Sequence, residues 1–241
     1  MPTYIITGAN RGLGLEFARQ LTTTAPGPNT VLACVRSLQK TDLSALNQLS
    51  RHSSNNSTLT IHECDTSSIP SIHAFAASLP DDTKVDLLNN AGINSVPEQD
   101  SLNLTGDELQ RHIATNVLGP AEMVKALLPW LSAGSVVFNM SSGMGSLGRR
   151  IVGDGKAVYA ISKAALNMLS VHQAKDLEAK GVKVIVMDPG WVKTDMGGPR
   201  AVLEQEYSIG SMLKVVEQVK ADDAYVGKAK FFQYDGKEVL W

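Results

Sequence analysis

The feature that most constrains the fold is a strand that runs straight into a glycine-rich turn and from there into a helix. Thr3 to Thr7 is a short apolar run of strand character. Thr7-Gly8-Ala9-Asn10-Arg11-Gly12-Leu13-Gly14 follows, and from Leu13 to about Thr24 the residues Leu13, Phe17, Ala18 and Leu21 share one helical face. Glycines at such a junction allow a tight turn and a close approach of the main chain to a ligand. The alternation then repeats. Strand-like runs at Thr30–Val35, Leu59–Cys64, Val85–Asn89, Ser135–Met140 and Val182–Met187 are separated by helical spacing at Asp42–Leu49, Ile69–Leu79, Thr105–Leu131 and Val158–Ala179. Pro26-Gly27-Pro28 ends the first helix, a Ser/Asn-rich stretch at Ser53–Ser57 reads as a loop, Pro120 is expected to kink its helix, and Gly181 stops the Ala-rich one. After Pro189-Gly190 the pattern weakens, leaving a helix near Ile209–Lys220 and an edge strand at Lys230–Gln233.

Alternating strands and helices predict an α/β fold: one doubly wound Rossmann-type domain whose mostly parallel seven-stranded sheet is flanked by helices. The 241 residues show no repeat or linker, so the expected domain spans 1–241, with a substrate lid at about 195–208. A net charge of −2 with scattered charged residues offers no footprint for nucleic acid. No apolar run approaches the ~20 residues of a membrane span, and the chain enters an apolar strand at Tyr4-Ile5-Ile6 without room for a leader. A soluble, cytoplasmic protein is expected. The two cysteines, Cys34 and Cys64, each close an apolar stretch and are not expected to form a disulfide. The histidines lack metal-ligand spacing, and no metal is expected.

A glycine turn between a strand and a helix suits a pyrophosphate, because the helix N-terminus offers free N–H groups and a positive dipole end. The end of the second strand bears on which dinucleotide is held. A fold selective for NAD usually carries an acid there to bind the ribose 2′-hydroxyl. This chain reads Cys34-Val35-Arg36-Ser37, with no acid before Asp42. Arg36, with Arg11 from the glycine turn, would instead pair with a 2′-phosphate, so NADPH/NADP is preferred over NAD. Two exposed surface arginines are the plainer alternative.

Tyr159 and Lys163 lie four apart in Tyr159-Ala160-Ile161-Ser162-Lys163 and so share a helix face. A free phenol has a pKa near 10, and a neighbouring ammonium is expected to lower it toward working range. A carbonyl oxygen gaining charge during hydride attack needs such a donor, and a serine hydroxyl would steady the same oxygen. Ser142, just past the fifth strand in Asn139-Met140-Ser141-Ser142, lies at the strand ends where ligands bind in parallel sheets; Ser141 is adjacent and easily confused with it.

Together these motifs resemble the short-chain dehydrogenase/reductase family, in order and from Thr7 to about Met196. The likeness is nearest to the sniffer-like and C-signal-like carbonyl reductases, through Pro189-Gly190-Trp191-Val192-Lys193-Thr194-Asp195-Met196-Gly197-Gly198 and the ending from Tyr234 to Trp241. Several roles follow from the resemblance alone. Gly8, Asn10, Arg11, Gly12, Leu13 and Gly14 would form the cofactor turn. Asn90, Ala91 and Gly92, in Asn89-Asn90-Ala91-Gly92, would support the sheet and border the cofactor. Asp65 would contact adenine, or else cap the next helix. Pro189, Gly190 and Val192 would form the turn beside the nicotinamide, and Thr194 would bond its carboxamide or serve as a helix N-cap. Ser142, Tyr159 and Lys163 would be catalytic, and Asn116 would hold a water beside the lysine, or merely satisfy backbone groups. The implied activity is NADPH-dependent reduction of a small-molecule ketone or aldehyde. A dinucleotide-sensing or signalling protein with little catalysis is the alternative. The stretch from Gly143 to Val158 is longer than in compact relatives and glycine-rich, which leaves the substrate unread. The helical segments near 105–131 and 158–179 are the expected faces of a homodimer or homotetramer.

Overall fold

The computed structural model of the chain describes residues 1–52, 56–149, 151 and 155–241. Seven strands, β1 (Thr3–Thr7), β2 (Thr30–Val35), β3 (Thr58–Glu63), β4 (Val85–Asn89), β5 (Val136–Met140), β6 (Lys183–Asp188) and β7 (Lys230–Gln233), form one sheet in the order β3-β2-β1-β4-β5-β6-β7. Every pairing is parallel, including β7 on β6, where Ile185 faces Lys230. The expected edge strand therefore extends a sheet that is parallel throughout.

Burial on both faces explains why the inner strands are nearly continuous apolar runs. Tyr4, Ile6, Val31, Ala33 and Phe138 point to one face. There α1 (Gly12–Thr23) contributes Phe17 and Leu21, and α7 (Gln205–Ala221) contributes Ile209, Met212 and Val216. Phe17 meets Phe138 edge to face at 5.5 Å. Ile5, Leu32, Val137 and Val184 point the other way, onto Ile72 and Phe75 of α3 (Ile69–Ala77), Met123 of α5 (Gly119–Ala126) and Ala174 of α6 (Ala157–Asp176). A short helix, α2 (Ser44–Arg51), anchors Leu46 beside α1. Residues 53–55 of the expected loop at Ser53–Ser57 lie outside the described residues, as does Gly153 of the glycine-rich stretch.

Three expectations change. The helical segment from Thr105 is not one continuous α-helix, and its irregularity lies just ahead of Pro120. It consists of α4 (Gly106–Ile113), a π-helical turn (Ala114–Leu118) and α5, and the Gly119 N–H donates to the Ala114 carbonyl. Proline cannot donate to the carbonyl four residues back, and the wider turn just ahead of it absorbs that irregularity. Gly119 also lets this helix pass close to Thr66, whose carbonyl oxygen would lie 2.6 Å from an added Cβ. Second, α7 starts at Gln205 rather than Ile209: its first turn is largely polar and exposed, so apolar periodicity misses it. The last part of the segment expected as a lid is thus helical. Third, α6 ends at Asp176, and a 3-10 turn (Glu178–Lys180) carries the chain to left-handed Gly181.

In a parallel sheet all strands end on the same side, and here that side carries the loops after β1 to β6. At the opposite edge Lys220 of α7 binds the Asp86 carboxylate at 2.8 Å and the Tyr4 hydroxyl at 3.2 Å. The other Asp86 oxygen accepts the Val136 N–H at 2.8 Å, which ties β4, β5 and α7 together. Among the described residues no helix is long and apolar enough to cross a membrane, and no cluster of three metal-ligating side chains occurs.

Candidate active site

The turn after β1 is built on glycines that other residues could not replace. Gly8 and Gly12 take left-handed backbone angles, φ +66° and +53°. A Cβ on Gly14 would lie 2.2 Å from the Gly8 carbonyl oxygen and 2.6 Å from Asn90 Nδ2. Asn90 braces this turn, donating to the carbonyls of Thr7 and Gly8 at 2.9 and 3.3 Å, while Thr7 Oγ1 accepts the N–H groups of Asn90 and Ala91 at 3.0 Å. Arg11 precedes α1 with extended backbone and no capping side chain, and the first turn carries no acid. The free N–H groups there suit an anion.

One cleft of about 830 Å³ runs along the strand ends. Gly8, Asn10, Arg11, Gly12, Leu13, Gly14, Arg36, Asp65, Asn90, Ala91, Gly92, Pro189 and Thr194 all line it, together with Tyr159 and Lys163. Gly190 and Val192 do not: Gly190 packs against Leu203 and Tyr234, and Val192 is buried and bridged to Leu203. Asn116 is buried and off the lining, and Ser142, partly exposed, reaches the cleft through its hydrogen bond with Tyr159. Lys40, which sequence reasoning did not flag, lines the same end as Arg36. It lies in a loop without periodicity, so only the fold brings it there. Asp42 reaches this end too, but its carboxylate accepts the Ser44 N–H at 2.9 Å. Arg11 pairs with exposed Asp195 at 3.1 Å.

Two alternatives for helix caps fall away. Asp65 accepts Ser67 N–H and O–H at 2.9 and 2.7 Å, while Ser68 caps α3. Thr194 accepts the Gly197 N–H at 3.0 Å, and Glu204 occupies the N-cap position of α7.

The first turns of α6 place Tyr159 and Lys163 beside the end of β5. Lys163 Nζ donates to the Met140 carbonyl at 2.8 Å and lies 5.6 Å from the Tyr159 ring centre. Lys163 is nearly inaccessible, and burial pushes its pKa down to about 7. Burial likewise pushes the Tyr159 phenol above its ordinary value. The Asp188 carboxylate pushes the same way, and a hydrogen bond with Ser142 pulls back. The expected lowering of the tyrosine by its lysine is therefore not present in this state: loss of solvation dominates both groups. The two serines separate cleanly. Ser141 is buried and donates to Asn167 Oδ1 at 2.6 Å, whereas Ser142 Oγ accepts the Met144 N–H at 3.2 Å and stays partly exposed.

Asn116 sits in the π turn, fully buried. Its amide donates to the Ile93 carbonyl at 3.0 Å and to Ser162 Oγ at 2.9 Å, and its Oδ1 accepts the Ile93 N–H at 2.8 Å. Ser162 in turn donates to the Tyr159 carbonyl at 2.7 Å. Asn116 thus satisfies backbone groups and ties the loop after β4 to the helix bearing Tyr159. Asn116→Ala would strip Ile93 of both partners, and a loss of about 2 kcal/mol is expected in urea unfolding; an unchanged midpoint would contradict this account.

Comparison with known proteins agrees with this geometry. The family model for short chain dehydrogenases matches residues 2–204. C-signal of Myxococcus xanthus is 35% identical over 176 residues, which is 70% of this chain and 100% of that protein. A 1-hydroxy-2-glutathionyl-2-methyl-3-butene dehydrogenase from a Rhodococcus species is 29% identical across 100% of both chains. Among solved structures, the carbonyl reductase Sniffer of D. melanogaster superposes with a TM-score of 0.88 at 30% identity, covering 100% of both chains. The NADPH-bound carbonyl reductase from chicken fatty liver gives 0.87 at 30% identity, covering 100% of this chain and 99% of that one.

Proposed function

The chain belongs to the short-chain dehydrogenase family of oxidoreductases, and from that premise we propose that it reduces a ketone or aldehyde to the alcohol with NADPH, Tyr159 giving the proton. The observation that carries this reading is that Tyr159 and Lys163 open onto the same cleft as the glycine turn.

The residues present fit a dinucleotide. The glycine turn admits a pyrophosphate against uncapped N–H groups, Asp65 would edge the adenine end, and Pro189 and Thr194 would form the nicotinamide end, with Gly190 and Val192 shaping the turn behind them. When bound, the reduced nicotinamide supplies the hydride. Ser142 donates a hydrogen bond to the substrate oxygen, and Tyr159 donates the proton that neutralises it. The phenolate then left on Tyr159 favours the charged form of Lys163, whose pKa near neutrality lets it take up a proton readily. Asn116 keeps this helix in register with the loop after β4. The short segment from Asp195 onward, pinned by the Val192–Leu203 bridge, would cover the substrate. Ile161, Met168 and Val171 leave an apolar stripe exposed on α6, where a homodimer or homotetramer would pair.

NADPH is favoured over NADH because Arg36 and Lys40 would meet the ribose 2′-phosphate, while two acids near them are held by backbone N–H groups, Asp42 by Ser44 and Glu63 by Leu38. Purified protein is expected to oxidise NADPH with para-nitrobenzaldehyde at least about tenfold faster than NADH at equal low concentration. Arg36→Asp should erase that preference; equal rates in the native protein would refute it. The likeness to C-signal favours a second reading, a dinucleotide-binding signalling protein. Cofactor binding without turnover across a broad carbonyl panel would select it.

A further inference from the structure

Asp188 is the last residue of β6 and is buried, directly ahead of the Pro189-Gly190 turn. An unpaired carboxylate in such a place is costly. Here both oxygens are engaged: Oδ1 accepts the Gly190 N–H at 3.1 Å, and Oδ2 accepts from Arg149 Nη1 at 3.0 Å. Arg149 comes from the loop after β5, where its own N–H is held by Ser146 Oγ at 2.9 Å. The two charges meet behind Gly143, the residue after Ser142. A Cβ on Gly143 would lie 2.8 Å from Asp188 Oδ2 and 3.0 Å from Arg149 Nη1. One ion pair therefore joins the loop that carries Ser142 to the turn at the nicotinamide end, next to Tyr159.

The charged groups around Tyr159 among the described residues are few. Lys163 comes from its own helix, Asp188 from the end of β6, and Arg149 acts from behind Asp188. The π turn offers the neutral Thr115 and Asn116, and the loop after β5 adds the neutral Ser142. The Asp188 charge favours keeping the proton on the phenol, and Arg149 offsets it.

We propose that Asp188 and Arg149 act as a charge-balanced positioning pair, fixing the Ser142 loop against the Pro189-Gly190 turn and setting how readily Tyr159 exchanges its proton. The inference rests on Tyr159 as the proton-transfer group. It makes two opposite demands. Arg149→Met leaves Asp188 uncompensated, so the phenol holds its proton more tightly. Asp188→Asn leaves the guanidinium uncompensated, so the phenol gives it up more easily.

The test is oxidation of para-nitrobenzyl alcohol by NADP⁺, followed as kcat against pH, since Tyr159 is then the base and the rate rises through its titration. The limb is expected to move up by about one pH unit in Arg149→Met and down by a similar amount in Asp188→Asn. Arg149→Lys, which restores the charge, should return it close to native. If Asp188→Asn does not fold, the contrast between Arg149→Met and Arg149→Lys decides alone. A purely structural pair would lower kcat at every pH and leave the limb in place, and that result, or shifts of the same sign in both variants, overturns the inference. Tyr159→Phe separates the two failures. If that variant stays active the role of Tyr159 falls, whereas if it is inactive and the limb never moves only the pair is refuted.

Discussion

Replacing Tyr159 with phenylalanine will cut aldehyde reduction by about a thousandfold while leaving NADPH affinity within about twofold of native. The substitution removes one hydroxyl from a ring that otherwise keeps its place. The ring is held by the fold: α6 is tied to the loop after β4 through Asn116 and Ser162, and to β5 through Lys163 and the Met140 carbonyl. Neither tie uses the phenol oxygen. The glycine turn, which bears the proposed pyrophosphate contacts, lies at another strand end and is braced by Thr7 and Asn90. Chemistry should therefore fail while binding survives. Steady-state rates with para-nitrobenzaldehyde, set beside NADPH fluorescence titration, measure both. Native turnover in the variant would remove Tyr159 from the mechanism, and loss of NADPH binding would show that its hydroxyl is structural.

Gly14→Ala should do the reverse damage, destroying the cofactor site before any chemistry begins. The added methyl would be 2.2 Å from the Gly8 carbonyl oxygen, 2.6 Å from Asn90 Nδ2 and 2.9 Å from the Gly8 carbonyl carbon. Two of these are main-chain atoms, and the third belongs to the side chain that braces the turn, so relief requires moving the turn itself. Overpacking of this kind costs about 1–3 kcal/mol, which in a chain of this size lowers Tm by roughly 2–4 °C per kcal/mol. NADPH affinity should fall by at least about a hundredfold, since the N–H groups that face the pyrophosphate move with the turn. Gly106→Ala is the matched control. It sits at the start of α4 with nothing within 4 Å of the added atom, and should leave Tm unchanged or slightly raised. Calorimetry and NADPH titration of both variants check the contrast. A Gly14→Ala protein that binds NADPH normally would mean that the turn is not the cofactor's seat.

Much of this was legible in the chain itself, for a physical reason. Strands buried on both faces cannot alternate, so β1, β2, β4, β5 and β6 stand out as apolar runs and their ends fall within a residue or so of the expected positions. The glycine turn and the Tyr159–Lys163 spacing are local, and the fold keeps them as the sequence implies. What stayed hidden depends on distant partners. Arg149 and Asp188 are far apart in sequence, and nothing in either neighbourhood marks them as a pair. Lys40 joins Arg36 only because a loop without periodicity folds back along the cleft. Asn116 was located by its motif, but its bonds to Ile93 and Ser162 belong to the tertiary structure. The phenol's proton affinity was misjudged because spacing reveals a neighbour's charge and not the loss of water around both groups. Polar composition likewise hid the first turn of α7, which packing on Ile209 and Met212 carries along.

The uniform direction of the strands divides the molecule into two jobs. The crossovers from β1 to β6 return the chain so that each new loop emerges at the rim of the proposed site, while the far rim holds knots such as Tyr4, Asp86 and Lys220. Heat tolerance can thus be raised at the far rim without disturbing the residues proposed to bind and react, whereas changes among the loops of the near rim, Gly14 and Asn116 included, reach both properties at once.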